Sequence, residues 1–463
     1  MKKILIVFFY ALSNFGFSIN FLDVSSTETE LGNAEIVMNN SGKSFVVWVN
    51  NQRSNKTHKI QYAASSDFGK TWTEPKLLKS VHDACNVEPP KVIINNSGDI
   101  MCLWNEPICC KINYIKSAIS CDFGKTWNFH EISDNEYLYH AALTNIDNTV
   151  LLVLVKKIND PDDEYNYLIE IRRSLDFGSS WLSSKYFKTR HNPRPEIKLR
   201  KSGKTLLTWN DEYYNAEYYK YETGDYDQHV IGYSSSDNFG EDWTDPNEIL
   251  TDSEPTEIQN ILNDEGNKII MWKEQQKDFN NWWSSSLFYS ILSDNEKSFG
   301  TMILDKASPG LEYYNLVSSF ESSPSLFAVW ESDTGGGSDN FGLIKVSVSR
   351  NFGKTWTSPK IISNKFTDCR KPILFSDSQG HVLISWNTYD NKDKSYIIQC
   401  IYSSNSGNNW SKIINLSKKD QLFKDQKIAL NEKGKIIVLY KQLENNRYGY
   451  QIIISDDFGK SWK

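Results

Sequence analysis

Ser65-Ser66-Asp67-Phe68-Gly69-Lys70-Thr71-Trp72 is one of seven copies of a hairpin signature, Ser-x-Asp/Asn-x-Gly-x-x-Trp. The others carry Asp122/Gly124/Trp127, Asp176/Gly178/Trp181, Asn238/Gly240/Trp243, Asn351/Gly353/Trp356, Asn405/Gly407/Trp410 and Asp457/Gly459/Trp462. A second repeat is interleaved with it: a polar turn, usually with Gly, then an apolar run ending in an aromatic. Gly42 leads to Trp48, Gly98 to Trp104, Gly203 to Trp209, Gly266 to Trp272, Gly380 to Trp386 and Gly434 to Tyr440; Asn148 to Leu154 and Pro324 to Trp330 are weaker copies. These anchors define eight units at intervals of 50 to 63 residues, and thirteen of the fifteen Trp occupy one of the two repeat positions. A fixed period of this length governs the fold before any local motif does.

Each unit contains four short apolar or alternating runs separated by turns. In the first these are residues 35–38, 45–49, 60–64 and 76–78. A four-stranded sheet repeated at this interval predicts an all-β β-propeller, whose blades bury their faces only by stacking. Eight blades are expected, or seven if the fifth unit is a long insertion. In that unit Ser293-Asp294-Asn295-Glu296 reads as an eroded signature without its Gly. The chain stops just after the last signature, so the last unit lacks a fourth strand. Phe21-Leu22-Asp23-Val24 supplies a matching run, and the N-terminal strand is expected to complete the last blade. Within the signature, Gly provides a positive φ. The polar residues Asp67, Asp122, Asp176, Asn238, Asn351, Asn405 and Asp457 accept backbone hydrogen bonds, and the Trp folds back as an apolar plug. The exchange of Asp for Asn fits a structural role, because an amide caps as well but is no general base.

At these residues the chain resembles the Asp-box (bacterial neuraminidase, BNR) repeat family. The resemblance covers nearly the whole mature chain. It implies a propeller with the Asp boxes on the outer rim, away from the functional face. Sialidases, other glycosidases and non-enzymatic binding proteins share this architecture, so the fold does not choose the function.

The N-terminus reads as a signal peptide over residues 1–18, with Lys2-Lys3, an apolar stretch from Ile4 to Leu12 and small residues at Gly16-Phe17-Ser18. Residues 19–463 form one propeller domain, expected to be periplasmic or secreted. The apolar stretch is too short to span a bilayer, and no later segment is long enough. A net charge of −7 without a basic tract argues against nucleic-acid binding. Of seven Cys, Cys85, Cys102, Cys109, Cys110 and Cys121 fall in the second unit, while Cys369 and Cys400 share the seventh and could pair. No Cys/His spacing supports a metal site, and no cofactor is expected.

Specificity is expected in the loops after the anchor aromatics. Residues 211–228 carry six Tyr, residues 273–284 include Trp282-Trp283, and residues 331–340 include Gly335-Gly336-Gly337. Tyr213, Tyr214, Trp282 and Trp283 offer flat faces with polar edges, suited to sugar rings or protein partners; packing of the loop on the rim is the competing role for the Tyr residues. A sialidase-like retaining hydrolase would need convergent Arg for a substrate carboxylate. It would also need an acid/base carboxyl and, by the resemblance, a Tyr nucleophile. The family's Arg-Ile-Pro motif is replaced here by Leu31-Gly32-Asn33-Ala34-Glu35. The nearest echo is Arg370-Lys371-Pro372 with Asp390 and Asp393; a second is Arg194-Pro195 with Asp211 and Glu212, and Arg447 and Arg53 lie in suitable loops. Pro recurs at Pro90, Pro195 and Pro372, which fits a turn role. The expected function is recognition of a glycan or surface protein through the loop face, with Arg194 and Arg370 among the contacts. The alternative is the sialidase-like exo-hydrolase.

Overall fold

The computed structural model describes residues 20–23, 30–52, 57–82, 87, 89–108, 112–133, 137–158, 165–214, 227–277, 283–292, 300–308, 311–319, 325–333, 341–419, 425–444 and 447–463. They form eight four-stranded antiparallel sheets. The fifth unit is a full blade (Thr256–Leu262, Lys268–Lys277, Trp283–Leu292, Met302–Lys306), so the ring has eight blades rather than seven. Its eroded turn, residues 293–296, lies outside the described residues.

The inner strands lie side by side around an axis, and that of blade 1 (Glu30–Met38) abuts that of blade 8 (Gln426–Leu430). The hydrophobic core is divided among eight clusters, one at each blade junction. Trp48 and Ala63 of blade 1 pack on Ile437, Leu439 and Tyr450 of blade 8, and Trp386 of blade 7 packs on Val329 and Val346 of blade 6. The other six clusters follow the same rule. Burying both faces of every sheet therefore requires the closed ring.

The two repeats dock on each other. The signature backbone takes two successive positive-φ residues, Phe68 at 61° and Gly69 at 80°, the pair that a type I′ turn needs. Phe68 N–H donates to Gly42 O at 3.0 Å. A Cβ on Gly42 would meet the Phe68 ring at 2.7 Å, so the polar turn of the second repeat is glycine because the signature's Phe covers it. Asp67 Oδ1 accepts from Ser65 Oγ (2.8 Å) and Thr71 N–H (2.9 Å), and Oδ2 accepts from Thr71 Oγ1 (2.7 Å). Asn351 makes the amide version of this contact, with Nδ2 donating to Thr355 Oγ1 at 2.9 Å. Each described box also reaches the preceding blade. A Cβ on Gly69 would strike Ile437 of blade 8, and one on Gly459 would strike Leu383 of blade 7. The Asp box is thus a staple between blades as well as a turn within one.

Closure is as the chain ends suggested. Asn20–Asp23 pairs antiparallel with the strand Arg447–Ser455 and forms the outermost strand of blade 8. This covers an edge that would otherwise offer free N–H and C=O groups. Tyr450 Oη donates to Gly32 O at 2.8 Å, tying the last blade to the first. The C-terminal residue is held by reciprocal Ile454–Lys463 backbone bonds.

The pairing of Cys369 with Cys400 is not formed; both are free thiols. They point to opposite faces of one sheet, Cys369 into the junction with blade 6 and Cys400 into that with blade 8. Cys102 and Cys121 are also free, and the other three Cys lie outside the described residues. Among the described residues no helix is long and apolar enough to cross a membrane. The signal-peptide segment lies outside them.

Candidate functional site

The loop-face mouth of the axial channel is built from irregular inner strands. The register shifts between Thr256 and Gln259 in blade 5, Tyr314 and Val317 in blade 6, and Arg370 and Ile373 in blade 7. At each bulge a non-glycine residue takes positive φ: Glu257 (53°), Asn315 (52°) and Lys371 (51°). Such conformations cost about 1–3 kcal/mol each and persist only where the surroundings fix them. Here they are fixed. Glu257 Oε2 accepts Leu316 N–H at 2.6 Å and Oε1 takes Lys273 Nζ at 3.0 Å. Buried Glu331 accepts from Asn315 Nδ2 (2.9 Å) and Lys371 N–H (3.1 Å). The three bulges border one cavity of about 370 Å³, which Gln259, Asn387, Gln426 and Lys427 also line.

Arg370 sits beside this cavity but is occupied by protein carboxylates. Nη1 lies 2.5 Å from Glu331 and 3.1 Å from Asp333, and Nε lies 2.6 Å from Asp368. Burial opposes its charge, yet these three carboxylates push the guanidinium further above its ordinary pKa. With three anions already bonded, it is not presented as a clamp for a substrate carboxylate. Tyr314, close by, has its phenol pushed up by burial and by Glu312 and Asp333, the reverse of what a nucleophile needs.

The other candidates do not join it. Asp390 and Asp393 both bridge to Lys419, Asp390 at 2.8 Å. The Lys419 hydrogen bond holds Asp390 below its usual range, whereas a general acid near neutrality needs the opposite shift. Asp211 is buried, which raises its pKa against the pull of backbone N–H groups of His191, Glu212 and Arg190; it organises that segment. Arg194 is an exposed side chain of blade 4, its backbone N–H donating to Asn210 Oδ1 at 2.8 Å. Arg194 and Arg370 thus stand on different blades, with no shared cluster. Glu212 pairs with His191 at 3.1 Å. The side chains of Tyr213, Tyr214, Trp283 and Arg447, and all of Trp282, Arg53 and Gly335–Gly337, lie outside the described residues. Among the described residues no group of three His, Cys, Asp or Glu is placed to hold a metal.

Sequence reading missed Glu257, Asn315, Glu331 and Asn387. A signal existed for two of them: Glu331 and Asn387 each follow an anchor Trp, so a polar side chain interrupts a buried apolar run.

Residues 324–463 match the family model of the BNR repeat-like domain. The eight-sheet ring makes the chain an eight-bladed β-propeller, and its last third matches that repeat family. No curated protein matches it in sequence. Solved structures similar in shape include an ulvan lyase of polysaccharide lyase family PL25 (10% identity, 93% of this chain and 94% of that chain, TM-score 0.48). Others are the polysaccharide lyase Uly1 (9% identity, 98% and 93%, TM-score 0.47) and an α-L-arabinanase of Penicillium chrysogenum complexed with arabinobiose (14% identity, 73% and 98%, TM-score 0.37). These likenesses are too distant to bring a substrate or a reaction to this chain.

Proposed function

We propose that this protein is an exported recognition module that binds a glycan at the loop-face mouth of its channel, without cleaving it. The observation that carries this reading is the convergence of three strained, individually fixed bulges on one cavity, beside an Arg already neutralised by three carboxylates. Bulges placed this way re-aim side chains next to sites. A cavity of about 370 Å³ is within the range of small-ligand pockets. Export rests on the N-terminal Lys2-Lys3 and the apolar stretch after it.

The test has two arms. Purified protein is incubated with a fluorogenic sialoside and is also passed over a glycan array. Retention on the array without sialoside turnover supports the proposal. Turnover that is lost in Arg370→Lys overturns it in favour of the sialidase-like hydrolase.

A further inference from the structure

We infer that Asn387 is the anchoring group of the channel-mouth site and that its ligand is a vicinal diol of a neutral sugar ring; this rests on the recognition reading above. Asn387 is 1% exposed, and neither Nδ2 nor Oδ1 has a partner in the protein. It lines the mouth cavity. Buried amides left in this state are rare in folded proteins, and each requires a reason.

The reason lies in a repeat position. In three blades the residue after the anchor aromatic secures the start of an inner strand. In blade 4, Asn210 Oδ1 accepts the N–H of Arg194, which precedes Pro195. In blade 5, Lys273 reaches Glu257, and in blade 6 Glu331 accepts from Asn315. In blade 7 the N–H preceding Pro372 belongs to Lys371, and that N–H donates to Glu331 of the neighbouring blade at 3.1 Å. Its own latch, Asn387, is thereby released from structural duty and left at the cavity.

The rest of the lining selects the chemistry. Glu257 is neutralised by Lys273 and Lys427 by Glu35, and Lys371 and Asp425 add one charge of each sign to the lining. Gln426 accepts from Ser385 Oγ at 3.1 Å and donates to Lys371 O at 3.4 Å. The two acidic and two basic lining residues balance, so the cavity carries no net charge to favour an anionic ring. An amide presents one acceptor oxygen and two N–H donors. Adjacent sugar hydroxyls, one donating and one accepting, complement it in two-point contact.

The experiment is calorimetric titration of the intact protein with neutral glycans retained by the array and with uronic-acid counterparts. Wild type is compared with Asn387→Ala and Asn387→Leu, each also followed through thermal unfolding. The expected result is at least tenfold weaker binding of the neutral ligand in both variants, with Tm unchanged or raised. Unchanged affinity in Asn387→Ala overturns the inference, and an accompanying fall in Tm would assign the amide to a structural water. Preference of wild type for the uronic acids overturns the neutral-ligand claim. If wild type binds no glycan at all, the recognition reading itself fails, which separates the two failures.

Discussion

Glu331 Oε1 accepts from Arg370 Nη1 at 2.5 Å across the junction of blades 6 and 7, while its other oxygen holds Asn315 and Lys371. One buried carboxylate therefore links an ion pair to two strained bulges. Removing one partner of such a pair strands the others, at a cost of about 3–5 kcal/mol. Arg370→Ala, which leaves Glu331, Asp333 and Asp368 facing one another, should lose about that much in chemical denaturation. A loss within about 0.5 kcal/mol, the range of ordinary surface substitutions, would contradict the assigned role.

The box aspartates should make the ring acid-sensitive. Burial raises Asp67, Asp176 and Asp457, but hydrogen bonds from the Ser and Thr of each box outweigh it and leave each lowered. Asp122 is lowered chiefly by Thr126. Asp456 is held at about 2 by Lys435 and Lys463. A carboxyl depressed in the folded state stabilises fully above its unfolded pKa, about 3.9, and loses that contribution as pH falls through the folded value. Denaturation free energy should therefore be flat near neutrality and fall between about pH 4 and about pH 2. The natural Asn351 box shows that an amide can form the turn, so converting Asp67, Asp122, Asp176 and Asp457 together to Asn should keep the fold, cost at neutral pH about what the acid limb loses, and flatten that limb. An unchanged acid limb would count against the boxes as its source.

Gly42 is required twice over, by its φ of 90° and by the Phe68 ring that a Cβ would strike at 2.7 Å. Gly42→Ala should destabilise the protein by more than about 1 kcal/mol, because a side chain is strained at positive φ. Phe68→Ala in the same chain should relieve the steric part alone. A double-mutant cycle measures the coupling, and strict additivity would contradict the docking of the two repeats.

Deleting residues 19–24 should uncover the outer edge of the last blade. The expected outcome is a lower Tm and concentration-dependent association by size-exclusion chromatography, since a bare strand edge templates pairing. Equal Tm and a monomeric profile would mean that the N-terminal strand does not seal the ring.

The ring was legible because its determinants are local and repeated. Thirteen Trp at two fixed positions, with Gly where the backbone turns left-handed, report the same sheet many times over. The site was much less so. Arg370 looked available, but Glu331 and Asp333, which occupy it, lie 39 and 37 residues earlier, in another blade. Asp390 looked like an acid until Lys419, 29 residues on, was found bonded to it. Which latch holds which strand start is decided at blade junctions, where competition for a single N–H, that of Lys371, sets Asn387 apart. Cys369 and Cys400 do not pair because they lie on the first and third strands of one sheet and face opposite blade junctions.

Glycan binding at the channel mouth is tested by filling the cavity. Gln259 lines the cavity from the inner strand of blade 5. The affinity of an array-selected glycan is measured for wild type and for Gln259→Trp, with unfolding followed in parallel. At least a tenfold loss of affinity with Tm preserved is expected; the same affinity in both proteins would rule out glycan binding at the mouth.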